Sequence, residues 1–213
     1  MPNFAHAERI ALCDTFLAAG PDAPTLCGDW TTRDLAAHLI VRERRPDAAA
    51  GMFLPVVAGH LASVQRRIAS APWEEMVTTV RSGPPRLSPF RLPGVEAKAN
   101  LAEFFVHHED VLRAGNAQVR RDLPQQEQGA LWGILPRIGA LALRNVRTGV
   151  VADCPGHGRR SLRRAKDDHG SVVLRGEPAE VLLHIFGRGQ VADVDLDGSD
   201  SDVAAFRDSH LGF

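Results

Sequence analysis

The hydrophobic period of this chain changes once, near residue 148, and that change constrains the fold more than any other feature. Up to that point apolar residues recur at helical spacing. "FAHAERIALCDTFLAAG" stops at Gly20-Pro21, a terminating pair. "TTRDLAAHLIVRERR" opens on Thr31 with Asp34 three residues on, a capping-box arrangement. A third helix is expected from Pro55 to about Ala71, with proline at its start. "SGPPRLSPFRLPG" (82–94) is too rich in proline for a helix or a central strand and reads as a long loop. "VEAKANLAEFFVHHEDVLRAG" is the next helix. "DLPQQEQGALWGILPRIGALALRN" is the last of the group, with Asp122 as its expected cap and Pro136 as its expected kink. Beyond 148 the segments are short and β-like: "TGVVADC", "RRSLRRA", "GSVVLRG" and "VADVDLDG". "EPAEVLLHIFGR" and the final "SDSDVAAFRDSHLGF" add short helical pieces. The expected architecture is mainly α, an antiparallel helical bundle over 1–148 followed by a small α+β domain over 149–213.

Composition narrows the function classes. The chain has 213 residues and is 44% hydrophobic, enough to bury a sizeable core. A net charge of −1 does not suit a general nucleic-acid binder, and the basic stretch "GRRSLRRAKDDHG" runs straight into acidic residues with no interleaved aromatics. No apolar run approaches the roughly 20 residues of a membrane span. The N-terminus lacks the charged-then-apolar layout of a signal peptide, so a cytoplasmic protein is expected. Cys13, Cys27 and Cys154 form no CxxC pair and suggest no disulfide framework. Cys154 and His157 in "CPGHG" have a ligand-like spacing, but no second pair completes a tetrahedron. Cys27 has no sequence neighbour that would activate it as a nucleophile.

Titratable residues concentrate on the helix around residue 105. Leu101, Phe104, Phe105, Val111 and Leu112 share one face, and periodicity puts His108 near its centre. Glu103, His107 and Asp110 form a polar flank. Glu103 and His107 stand at i and i+4, so a carboxylate and an imidazole lie on one face and could clasp a divalent metal. His38, bordering the apolar face of its own helix, is a third donor candidate. A hydrogen-bonded core histidine is the alternative for both His38 and His108.

Two segments, "CGDWTTRDLAAHLIVRERRPDAAAG" and "NLAEFFVHHEDVLRAG", resemble the signature segments of the mycothiol-dependent maleylpyruvate isomerase-like family, one of the DinB-like metal-binding four-helix bundles. The pattern is W-x7-H followed by E-x3-H-x2-D. "VVLRGEPAEVLLHIFGR" resembles the opening of that family's C-terminal domain. The resemblance implies a zinc-like ion held by His38, Glu103 and His107. Asp110 and His108 would then support the ligands from behind. Two imidazoles and one carboxylate with an open position make a catalytic rather than a structural zinc pattern, with nickel, manganese or iron as further possibilities. The implied activity is thiol chemistry: mycothiol held as thiolate, then added to an electrophile or used in cis–trans isomerisation. The partners would be a small thiol and a small electrophile. A non-enzymatic metal-binding protein and a metal hydrolase are the rival classes. Arg42, one turn after His38, His60 and Arg188 are candidate substrate or thiol contacts. Glu180, His184 and Arg188 fall at i, i+4 and i+8 and could equally be a surface stripe.

Overall fold

The computed structural model describes residues 3–49, 51, 56, 58–85, 95–115 and 120–212, with side chains from residue 100 onward in the helix that begins at 95. The chain is mainly helical with one small four-stranded sheet. It divides into two compact units, Met1–Arg120 and Arg121–Phe213.

The first unit is built of helices. They are α1 (Phe4–Ala19), α2 (Thr32–Arg44), a short α3 (Pro46–Ala49), α4 (Ala58–Ala69), α5 (Trp73–Ser82) and α6 (Val95–Leu112). α1 packs on α6 and α5, and α2 packs on α4 and α5. Leu12 and Phe16 of α1, Leu35 and Leu39 of α2, Met76 and Val77 of α5 and Phe104 of α6 fill the core between them. The start of α2 follows from its sequence. Thr31 accepts from the Asp34 N–H, and the Asp34 carboxylate accepts from the Thr31 N–H, a reciprocal capping box. α1 ends at Gly20, whose positive φ of 81° suits glycine. Arg9 and Glu43 form a buried ion pair across α1 and α2, with Nη1 2.7 Å from Oε2. Arg9 Nη1 also donates to the Val80 carbonyl at 2.9 Å, so the charge is satisfied from two sides.

Several expectations change here. The expected third helix is described from Ala58 to Ala69 as α4; its expected start at Pro55 lies outside the described residues, together with 86–94 of the proline-rich loop. α5 occupies a stretch for which no helix was expected. Its two threonines and two valines weaken helix propensity, but Met76, Val77 and Val80 are buried, and that packing decides the matter.

The second unit begins with α7 (Gln125–Ala142), which contains Pro136. α7 follows Pro124 with no side-chain cap, so the expected capping by Asp122 is not made. The strands are β1 (Gly149–Cys154), β2 (Gly158–Arg163), β3 (Ser171–Arg175) and β4 (Asp195–Asp197), in sheet order β2-β1-β3-β4. β1 pairs antiparallel with β2 and parallel with β3; β4 closes antiparallel on β3. α8 (Pro178–Leu183) runs into a π-turn at His184–Arg188, and α9 (Asp200–Arg207) follows β4. α7 packs on α8 and on β2. Gln128 of α7 donates to Glu177 at 3.0 Å and accepts from the Ala179 N–H at 3.0 Å. The expected boundary at 148/149 therefore falls inside the second unit. The period of the sequence changes at β1, but the helix before it packs with the sheet.

Candidate metal centre

α2 and α6 bring His38, Glu103 and His107 together in the first unit. His38 lies two turns into α2, and its ring packs against Trp30 with centroids 5.2 Å apart. Glu103 and His107 lie one turn apart on α6. His38 Nε2 is 3.3 Å from Glu103 Oε1, and His107 Nε2 is 3.4 Å from the same oxygen. The donor atoms of all three residues lie within 4.8 Å of one another. Their side chains are 16%, 19% and 12% exposed, so the cluster is sheltered but reachable from solvent.

The two edges to Glu103 are long for hydrogen bonds, whose most frequent N···O length is about 2.9 Å. They match the donor–donor edge of a tetrahedral zinc site, about 3.3–3.4 Å when the bonds are about 2.0–2.1 Å. The contacts behind His107 differ. Its Nδ1 is 2.9 Å from Asp110 Oδ2, an ordinary hydrogen-bond length. With Nδ1–H given to Asp110, Nε2 is the nitrogen that faces Glu103 and His38, and loss of its proton would aim a lone pair at them. The residues present could thus hold a divalent cation through three donors.

Charge supports the same arrangement. Burial acts to raise the Glu103 carboxyl. The Arg42 guanidinium and the contacts with His107 and His38 outweigh it, holding the acid well below the usual carboxylate range. Burial acts to lower the His107 imidazole. Its bonds to Asp110, Cys27 and Glu103 outweigh that and raise it well above its ordinary value. Arg42 does not stand free for a substrate: Nε is 3.3 Å from Glu103 Oε1, and Nη1 donates to Asn100 Oδ1 at 2.8 Å.

His108 faces the other way. Its Nδ1 is 2.9 Å from Glu8 Oε2 and its Nε2 is 2.9 Å from Thr15 Oγ1, both on α1. It is buried among the helices, as periodicity indicates, and both ring nitrogens are engaged by α1 rather than by the three donors. His60 is half-exposed on α4, with Nε2 3.0 Å from Asp47, a carboxylate that Arg45 also grips. It is not part of the three-donor cluster. Arg188 lies in the second unit, on the π-turn, where Nη1 donates to the Phe186 carbonyl at 2.6 Å. The Glu180–His184–Arg188 series is not a surface stripe: Glu180 and His184 are buried, and Glu180 accepts from the Asp193 N–H at 2.9 Å. Cys154 and His157 flank the β1–β2 turn, with the His157 N–H donating to the Cys154 carbonyl at 2.9 Å.

Three neighbours of the cluster were not singled out in the sequence as parts of a site. Trp30 packs on His38, although it does anchor the W-x7-H pattern. Asn100 holds Arg42. Cys27 Sγ lies 3.0 Å from Asp110 Oδ2 and 3.9 Å from His107 Nδ1. No local spacing signals a contact between residues 83 positions apart. Comparison of the chain with models of known families, with curated proteins and with solved structures found no match in any of the three.

Proposed function

We propose that the first unit is a DinB-like bundle carrying a divalent-metal centre, with His38, Glu103 and His107 as ligands and zinc as the preferred ion. The proposed activity is to activate a low-molecular-weight thiol for transfer to an electrophile or for cis–trans isomerisation. The sequence resemblance implies mycothiol as that thiol. The observation that carries the metal reading is the pair of 3.3 and 3.4 Å edges converging on Glu103 Oε1. A bound cation would stabilise the deprotonated, nucleophilic form of a thiol at an open position.

The chain's own residues have separable roles in this reading. His38 and His107 would each offer one ring nitrogen, and Glu103 supplies the one carboxylate among the donors. Arg42 keeps Glu103 ionised and fixes the orientation of Oε1. Asp110 holds one His107 proton on Nδ1, so Nε2 is the nitrogen that would exchange its proton for the cation. The donor set is mixed nitrogen and oxygen, which suits zinc better than an oxygen-seeking ion such as calcium.

Titration of zinc-loaded protein with mycothiol, followed by calorimetry in buffers of different ionisation enthalpy, tests the reading. Saturable binding with proton release that is lost in metal-free protein supports it. Metal binding with no thiol binding sinks the thiol step and leaves a metal-binding module. Hydrolysis of activated esters in the absence of thiol points instead to a hydrolase.

A further inference from the structure

We propose that Cys27 is a positioning residue of the metal centre, acting on His107 through Asp110. This inference rests on the metal reading above and extends it to the loop between α1 and α2.

The geometry forms a chain. The Cys27 thiol donates to Asp110 Oδ2 at 3.0 Å. The same oxygen lies 2.9 Å from His107 Nδ1. Both are hydrogen-bond lengths, shorter than the edges to Glu103, so Cys27 and Asp110 belong behind the imidazole rather than around the cation. Asp110 is fully buried. A buried carboxylate needs its oxygens satisfied, and a thiol donor fixes the rotamer that receives the His107 Nδ1–H.

The loop is tied to α6 a second time. The Leu26 N–H donates to the Asp110 carbonyl at 3.0 Å. Within the loop, Thr25 Oγ1 accepts from the Cys27 N–H at 3.1 Å and donates to the Trp30 carbonyl at 2.8 Å. Trp30 then packs on His38. One short segment thus bears on both histidine ligands: on His107 through Cys27 and Asp110, and on His38 through Trp30. A cysteine suits the first task because it is a small donor that fits a partly buried site.

Two measurements separate this role from a general packing role. The first is nitrogen-15 NMR of the His107 ring in metal-free protein. The wild type should show a protected Nδ1–H; Cys27→Ala should lose that protection, and Cys27→Ser, which restores a donor, should keep it. The second is zinc affinity by competition with a chromophoric chelator. Cys27→Ala should weaken binding about 10- to 100-fold, the usual range for a residue that orients a ligand. Cys27→Ser should stay within about threefold of wild type, because a hydroxyl can make the same donation. In an Asp110→Asn background, Cys27→Ala should add much less than it does alone. Unchanged NMR and affinity in Cys27→Ala, or effects of the two substitutions that multiply, overturn the proposal. So does a thiolate-to-cobalt charge-transfer band in the cobalt(II)-loaded wild type, because Cys27 would then be a ligand itself. A wild-type protein that binds no zinc defeats the metal reading, and the metal-free NMR still decides the Cys27–Asp110–His107 link.

Discussion

Acid should strip the metal, with His107 contributing at least one proton to the slope. In the metal-free protein, burial pulls the His107 pKa down, but the bonds to Asp110, Cys27 and Glu103 raise it well above 6.5. Glu103 is already ionised at neutral pH, because burial is outweighed by Arg42, His107 and His38. Binding a cation at Nε2 of His107 therefore displaces one proton from that ring and none from Glu103. Below the raised His107 pKa, affinity should fall by at least about tenfold per pH unit, or about 1.4 kcal/mol. Zinc affinity measured against a chelator from about pH 5.5 to 8 gives the slope. Calorimetry in two buffers counts the released proton directly. An affinity that stays flat below pH 6.5, with no proton release, would show that His107 Nε2 is not a ligand. Asp110→Asn should shift the onset of the slope to lower pH, since it removes the leading bond that holds the proton.

Other consequences follow from the same contacts. His108→Ala removes the ring's contacts with Glu8 and Thr15 and should cost about 1–3 kcal/mol in thermal or denaturant unfolding, with zinc stoichiometry unchanged. Arg9→Ala should cost about 3 kcal/mol or more, because it strands Glu43 and frees the Val80 carbonyl; a loss under about 1 kcal/mol would contradict the buried pair. In metal-free protein the raised His107 pKa contributes stability that is complete below about 6.5 and lost as pH rises through the folded value. The depressed Glu103 pKa contributes stability present above 4.5 and lost as pH falls through its folded value. Denaturant titrations of the metal-free protein should therefore show the His107 contribution fading on the alkaline side, and a contribution that grows there refutes the assignment. Gly176→Ala should destabilise the second unit by about 1–3 kcal/mol, because the new Cβ would stand 2.8 Å from the Asp193 carbonyl oxygen.

Local signals were legible in the sequence and long-range ones were not. The α2 start was readable because Thr31 and Asp34 are three residues apart and complete their own hydrogen bonds. Glu103 and His107 were readable as a pair because one helical turn joins them. Periodicity alone placed His108 in the core, and it lies there. The pairing of that helix with His38 came from a pattern spanning two segments rather than from any spacing on one. α5 was hidden because its β-branched residues argue locally against a helix that tertiary packing imposes. The compact units divide at 120/121 rather than at the change of period, because that period reports on single elements whereas α7 joins the sheet through packing and through Gln128. Cys27 carried no local signal at all, since its partner Asp110 is distant in sequence. Arg42 was legible as a residue near the cavity, but only the structure shows it spent on Glu103 and Asn100.

Native mass spectrometry of the zinc-loaded protein beside His38→Ala, Glu103→Gln, His107→Ala and His108→Ala tests the central claim most directly. The account predicts one ion per chain in the wild type and in His108→Ala, and its loss in the other three. An ion retained in His107→Ala but lost in His108→Ala would place the ligands on the opposite face of α6 and contradict the account.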